Sequence, residues 1–138
     1  MAFDDLDEKG YCVFTLDDPS PVHAIREKFL GALREALGDA RVTLETYHEI
    51  VGDDAERHTA TQARITQLLR THRWHLDIFR RNLPQFSSLV GPDLDGEAAP
   101  YVRIVRPGKP EDNIGLHRDT IYGGSPYEIS VLTPFVDM

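Results

Sequence analysis

Residues 114–121, Ile-Gly-Leu-His-Arg-Asp-Thr-Ile, are the stretch on which the fold prediction depends, because they predict a β-strand that contains a His-x-Asp pair. Successive side chains of a strand point to opposite faces, so His117 and Asp119 are expected to project from the same face. An imidazole and a carboxylate in this arrangement are two of the three ligands of the facial triad that binds non-haem Fe(II). No histidine follows His117 in the sequence, and the pattern therefore identifies no third ligand.

Further strands are predicted on both sides of this pair. Residues 101–106 resemble an alternating strand, with two arginines among apolar side chains, and residues 128–133 are rich in β-prone side chains. A short apolar run at residues 11–16 predicts another strand near the beginning of the chain. Helical patterns come mainly before these later strands, and this order is typical of an α+β fold in which helices pack on an antiparallel sheet.

Two helices are predicted in the first two thirds of the chain. For the first, Ser20 and Pro21 predict the N-terminal end and Gly38 the C-terminal cap. Its apolar residues recur at helical spacing, at Val22, Ile25, Phe29, Leu33 and Ala36. The second helix is predicted from about Thr59 to Pro84, which bends or ends it. Its apolar stripe contains Ile65, Leu68, Leu69, His72, Leu76, Phe79 and Leu83.

The composition limits the classes of protein to which the chain can belong. The chain has 138 residues, of which 41% are hydrophobic, and a net charge of −8. The acidic balance argues against nucleic acid as a partner, since no basic stripe is present. Cys12 is the only cysteine, which excludes an intrachain disulfide and suits a reducing cytoplasm. The sequence contains no long apolar run, so neither a signal peptide nor a membrane partner is predicted.

Three segments in the last third resemble a known family. They are Tyr-Val-Arg-Ile-Val-Arg-Pro-Gly at 101–108, Leu-His-Arg-Asp at 116–119, and Ile-Ser-Val-Leu-Thr-Pro-Phe-Val-Asp at 129–137. Together they resemble the phytanoyl-CoA dioxygenase-like branch of the Fe(II)/2-oxoglutarate oxygenases. The resemblance implies that the sheet is the first half of a double-stranded β-helix of the jelly-roll or cupin type. It also implies that residues 1–138 are a single domain and the N-terminal part of a larger oxygenase domain, with a helical layer at 1–97 and strands at 98–138.

The resemblance also implies the chemistry. His117 and Asp119 would be two Fe(II) ligands, and 2-oxoglutarate would be the co-substrate that dioxygen converts, by oxidative decarboxylation, into succinate and carbon dioxide. Family members that halogenate have a small residue in place of the carboxylate, so Asp119 indicates hydroxylation of a small organic substrate. The family's second histidine and its 2-oxoglutarate-binding arginine lie downstream of the His-x-Asp pair and have no counterpart here.

Other polar residues near the pair are candidates for binding roles. Arg103 and Arg106 should lie on opposite faces of their strand, so at most one of them faces the site. Arg103 and Thr120 are assigned to co-substrate binding, with a surface ion pair as the alternative for the arginine. Tyr122 and Asn113 are assigned to the substrate lining, with packing and solvation as their alternatives.

A second class of function stays open at this point. The chain would then be a non-catalytic ligand-binding or interaction module on a partial β-helix scaffold, because fold does not determine function. Such a module could pair with a second copy through its open strand edge. A third possibility keeps the iron chemistry: in a homodimer, His75 or another histidine of the second copy would complete the iron site. Within one chain, His72 and His75 are interpreted as core or boundary residues, whereas His23, His48 and His58 receive no role.

Overall fold

A computed structural model describes residues 4–96, 98–115 and 128–136 of the chain. In these ranges the helices are α1 (Asp4–Lys9), α2 (Ser20–Leu37), α3 (Tyr47–Val51), α4 (Ala55–His72), α5 (His75–Arg81) and α6 (Leu83–Val90), followed by a 3-10 helix (Pro110–Asp112). Helix α2 packs against α4 and α5, and α5 packs against α6. The described part of the chain is therefore a layer of helices with irregular segments lying against it.

The predicted α+β fold is wrong for the described ranges, which contain helices and no β-strand. This result also removes the antiparallel sheet and the half β-helix that the family resemblance implied. Segments 11–16 and 101–106 do show the alternating exposure expected of strands. Alternation reports only that one side of a segment lies on a core, whereas a strand also requires a backbone hydrogen-bond ladder with a neighbour.

Polar side chains of the helices take the place of that ladder. On α4, Gln62 Oε1 accepts a hydrogen bond from Ile104 N at 2.9 Å, and Arg70 Nε donates to Pro100 O at 3.1 Å. On α6, Gln85 Nε2 donates to Thr15 O at 2.8 Å. These bonds fix both alternating segments on the helical layer and satisfy part of their backbone hydrogen-bonding capacity.

The prediction for α2 is confirmed almost residue by residue. The helix ends at Gly38, whose φ of 65° is left-handed, and the Gly38 N–H caps Arg34 O. Ser20 is already the first helical residue and Pro19 is the N-cap, so the helix begins one residue earlier than predicted. The Ser20 N–H donates to Asp18 Oδ1 at 3.0 Å. The buried face of α2 includes Ile25, Phe29, Leu33 and Leu37, and it forms the centre of the hydrophobic core.

The single second helix that the sequence predicts is three helices. Arg73 has a left-handed φ of 52° and ends α4, although its side chain makes this conformation costly compared with glycine. Asn82 separates α5 from α6 and is 1% exposed. Its side chain bonds both Asp18 N, at 2.7 Å, and Asp18 O, at 3.0 Å. Each of the three helices places apolar residues in the core, but the predicted stripe does not continue through Leu83, which is 48% exposed.

No helix in the described ranges is both long and apolar enough to cross a membrane.

Candidate functional site

The predicted iron ligands His117 and Asp119 lie outside the residues that the structure describes, as do Thr120 and Tyr122. Their assigned roles therefore remain predictions. Arg103 and Asn113 are described and both are exposed. The geometry of the candidate site is accordingly that of the two stretches of chain on either side of the His-x-Asp pair, and of the helices that hold them.

A buried polar cluster holds the stretch that precedes the pair. The cluster consists of Tyr47, His58, Arg106 and Asp112. Tyr47 begins α3, His58 lies in the first turns of α4, and Asp112 ends the 3-10 helix. The side chains of Arg106 and Asp112 are each only 3% exposed, which is rare for charged groups unless they are paired.

The Arg106–Asp112 pair is bidentate. Arg106 Nε donates to Asp112 Oδ2 at 2.8 Å, and Arg106 Nη2 donates to Asp112 Oδ1 at 2.8 Å. The backbone N–H of Arg106 donates to Asp112 Oδ2 as well, at 2.9 Å. The remaining terminal nitrogen, Nη1, donates to Gly52 O at the end of α3, at 2.9 Å. The planar guanidinium thus joins the two ends of the 106–112 loop and fastens them to the helical layer.

His58 lies between this ion pair and α3. Its Nε2 is 3.5 Å from Asp112 Oδ1, and its Nδ1 is 3.1 Å from the Tyr47 hydroxyl. Burial raises the pKa of the Tyr47 hydroxyl above its usual value, and the tautomer of His58 determines which of the two groups donates. The neutral tautomer with its proton on Nε2 then directs its N–H toward the carboxylate.

The pKa values of the cluster are displaced in directions that favour this arrangement. The hydrogen bonds from Arg106 hold the pKa of the Asp112 carboxyl well below its usual range. Burial lowers the pKa of His58, and this effect outweighs the opposite influence of Asp112. The folded protein therefore contains an ionised carboxylate beside a neutral imidazole.

We expect the free energy of unfolding to fall as the pH drops below the ordinary histidine pKa of 6.5. The unfolded chain binds a proton at His58 there while the folded chain resists it, and folding is then opposed by proton binding. This fall in the free energy of unfolding should be absent from the His58→Gln variant. Urea unfolding followed by circular dichroism between about pH 5 and pH 7.5 measures it, since the loss of stability from protonating Asp112 comes below about pH 4.

A matched control for this pH dependence is His23→Gln, because His23 is exposed on α2. This variant should keep the pH dependence of the wild-type protein. If His58→Gln and wild type lost stability equally between neutral and mildly acidic pH, the neutral imidazole in the cluster would be contradicted.

The loop between Arg106 and Asp112 forms the wall of a shallow depression. Its volume is about 430 Å³, and it is lined by residues 105–110 and Asn113. Lys109 in this loop forms an ion pair with Asp53. Arg103 Nη1 donates to Asp112 O at 3.3 Å. Arg106 is buried against the helices and Arg103 is exposed, although the segment that contains them is not the predicted strand.

An aromatic contact holds the stretch that follows the pair. Phe135 packs edge-on against Phe29 of α2, with ring centroids 4.9 Å apart. Arg26, also on α2, donates a hydrogen bond to Phe135 O and pairs with Glu45. Both the stretch before residues 116–127 and the stretch after them are therefore fastened to the same helical layer.

The described residues contain no group of three or more His, Cys, Asp or Glu side chains arranged to bind a metal. His58 and Asp112 lie close together, but Tyr47 and Arg106 already occupy them. His75 is 7% exposed on α5, a core position as predicted, and it is not presented to a second copy. The donors of His117 and Asp119 fit Fe(II) chemically, as one nitrogen and one oxygen ligand. They would supply two of the three protein ligands of such a site.

Sequence reasoning missed His58 because it placed the beginning of α4 too late. The helix begins at Ala55, after Asp54, whose side chain accepts a hydrogen bond from Arg57 N at 2.9 Å. With that earlier beginning, His58 falls on the buried face, at helical spacing from Thr61 and Ile65. The Asp54 cap was the available signal. His72 is a further correction, since it is exposed and stacks on Trp74 with centroids 5.0 Å apart.

Comparisons with protein-family models, with curated proteins and with solved structures found no match to this chain.

Proposed function

We propose that the chain is part of a cytoplasmic Fe(II)/2-oxoglutarate-dependent oxygenase of the hydroxylase type, which acts on a small organic substrate. His117 and Asp119 would hold the iron, and the exposed Arg103 and Asn113 would meet co-substrate and substrate, together with Thr120 and Tyr122. When bound, iron would supply the oxidising chemistry with dioxygen as the oxidant and 2-oxoglutarate as the co-substrate. The residues of this chain bind and orient the substrate.

The observation that supports this proposal most is the attachment on both sides of the His-x-Asp segment. Before it, the buried polar cluster joins Arg106 and Asp112 to α3 and α4. After it, Phe135 packs on α2. A metal site needs ligands that are supported by rigid elements, because small errors in ligand position weaken binding. A helical layer that holds both flanking stretches is suited to that purpose.

Replacing either ligand should abolish iron binding. In His117→Ala and Asp119→Ala we expect the affinity for Fe(II) to fall by more than about 100-fold, since loss of a ligand should exceed the 10- to 100-fold effect of losing an outer-shell partner. Anaerobic Fe(II) titration measures this affinity, and Co(II) serves as an air-stable probe with an absorption spectrum that reports its ligands.

The control for both variants is His23→Ala, which removes an exposed imidazole from α2 and should leave metal binding unchanged. Unchanged affinity in either ligand variant would defeat the proposal. Succinate formation from 2-oxoglutarate, dependent on iron, tests the reaction itself, and a halogenated product formed in the presence of chloride would contradict hydroxylation.

A second candidate function is supported by a different observation. Several apolar side chains are strongly exposed, above all Leu132 at 91%, Val13 at 84% and Tyr101 at 77%. Exposed apolar side chains mark an interaction site where they form one contiguous patch. The alternative is therefore a non-catalytic ligand-binding or interaction module, including one that pairs with a second copy of this chain. Absence of Fe(II) binding by the wild-type chain, together with a dimer in sedimentation analysis, would favour it.

A further inference from the structure

The free-energy cost of burying the polar cluster is larger than a contact that serves only stability would require. Removing the Arg106 and Asp112 charges from water is expensive, and a buried ion pair recovers this cost only through good geometry. Apolar residues of similar volume often stabilise a protein equally well at such positions. The cluster nevertheless has geometry that apolar side chains cannot provide, because it fixes directions through hydrogen bonds at defined lengths.

What the cluster fixes is the end of a loop. The backbone N–H and the side chain of Arg106 both bond the Asp112 carboxylate, and Arg103 bonds the Asp112 carbonyl. His58 contacts the same carboxylate from α4. Asp112 is thus held from its own loop and from the helical layer at once. It precedes His117 by five residues in the sequence. The position of Asp112 therefore fixes the point from which the chain leads to the His-x-Asp pair.

A second Arg–Asp pair in the chain shows that the chemistry alone does not define this role. Arg41 donates to Asp39 through its backbone N–H at 2.9 Å, through Nε at 3.0 Å and through Nη2 at 2.7 Å. That pattern matches the bonds between Arg106 and Asp112. The Arg41 side chain, however, is 87% exposed, and the pair lies in the turn between α2 and α3.

We propose that Arg106, Asp112 and His58 are positioning residues for the iron site, and that they act by fixing the 106–112 loop against α3 and α4. This inference rests on the proposed function. None of the three touches the metal in it. By fixing the loop, they limit the conformations available to the following segment, which contains the two ligands. Less conformational entropy is then lost when the metal binds.

The test uses the full chain in two measurements with Arg106→Lys and the matched control Arg41→Lys. Lysine keeps the charge but loses the bidentate geometry. In the metal-free protein, hydrogen exchange should accelerate at residues 108–115 in Arg106→Lys and not in Arg41→Lys. In Co(II) titration at low temperature, with the folded fraction checked by circular dichroism, Arg106→Lys should bind about tenfold more weakly, and Arg41→Lys within about twofold of wild type.

The outcomes separate this inference from the function on which it rests. Faster exchange in the loop with Co(II) affinity within twofold of wild type would overturn the positioning role and leave the iron site in place. A wild-type chain that binds neither Co(II) nor Fe(II) would overturn both. If Arg106→Lys fails to fold, His58→Asn replaces it, because this change leaves the Arg106–Asp112 pair intact, and the same two criteria then decide.

Discussion

Asp112→Ala is expected to lower the free energy of unfolding by about 3 kcal/mol, because removing one partner of a buried ion pair leaves the other charge uncompensated. Arg106 would keep a hydrogen bond to Gly52 O but lose three bonds to the carboxylate. Its guanidinium would remain enclosed, with a side-chain exposure of 3% before relaxation. Urea unfolding at neutral pH, followed by circular dichroism, measures the change, which is a large fraction of the stability of an ordinary domain.

Asp39→Ala is the matched control for this prediction. It breaks a pair with the same pattern of hydrogen bonds at an exposed position, where water and salt replace most of the interaction. The bonds from Arg41 lower the pKa of the Asp39 carboxyl to about 2, so both carboxylates are ionised in the experiment. Equal destabilisation by the two substitutions would show that burial adds nothing to the Arg106–Asp112 pair.

Helix α2 could be predicted because every signal for it is local. Pro21 suits the first turn, the apolar residues from Ile25 to Leu37 repeat at helical spacing, and Gly38 adopts the left-handed conformation that ends the helix. The breaks at Arg73 and Asn82 could not be predicted in the same way. Arg73 is not a residue type that marks a left-handed turn, and Asn82 is fixed by its bonds to Asp18, which is distant in sequence.

The strand at 101–106 was predicted from a strand-like alternation and the strand at 11–16 from a short apolar run, and neither pattern is specific for a strand. A segment that lies with one side on a helical layer shows the same period of two as a strand on a sheet. What separates the two structures is the partner of the backbone groups. Here Gln62, Arg70 and Gln85 bond those groups from the helices. The sequences of the two segments do not indicate these partners.

The buried polar cluster was missed because it joins three separate parts of the chain. Tyr47 and His58 are eleven residues apart, and Asp112 comes from the far side of the sequence. The sequence predicted that at most one of Arg103 and Arg106 faces the site, but it could not show which of them meets the helices. Arg106 is the buried one, and it forms the centre of the cluster.

Phe29→Ala should lower the free energy of unfolding by about 3–5 kcal/mol, since it removes a large side chain from the core and leaves a cavity. Phe29 is 3% exposed. Its ring packs against Phe135 at 4.9 Å and against Trp74 at 6.4 Å between centroids. The substitution therefore removes both a centre of the α2–α5 interface and the aromatic contact that holds the stretch after the His-x-Asp segment.

A double-mutant cycle with Phe135→Ala separates these two contributions. If the edge-on pair fastens residue 135 to α2, Phe29→Ala and Phe135→Ala should be less than additive, with a coupling energy of about 0.5–1.5 kcal/mol. The control is Phe29→Ala combined with Val13→Ala, because Val13 is 84% exposed and should add independently. Additive effects of Phe29→Ala and Phe135→Ala would contradict the contribution of the aromatic pair to this attachment. The hydrogen bond from Arg26 to Phe135 O would then be the contact that holds the stretch on α2.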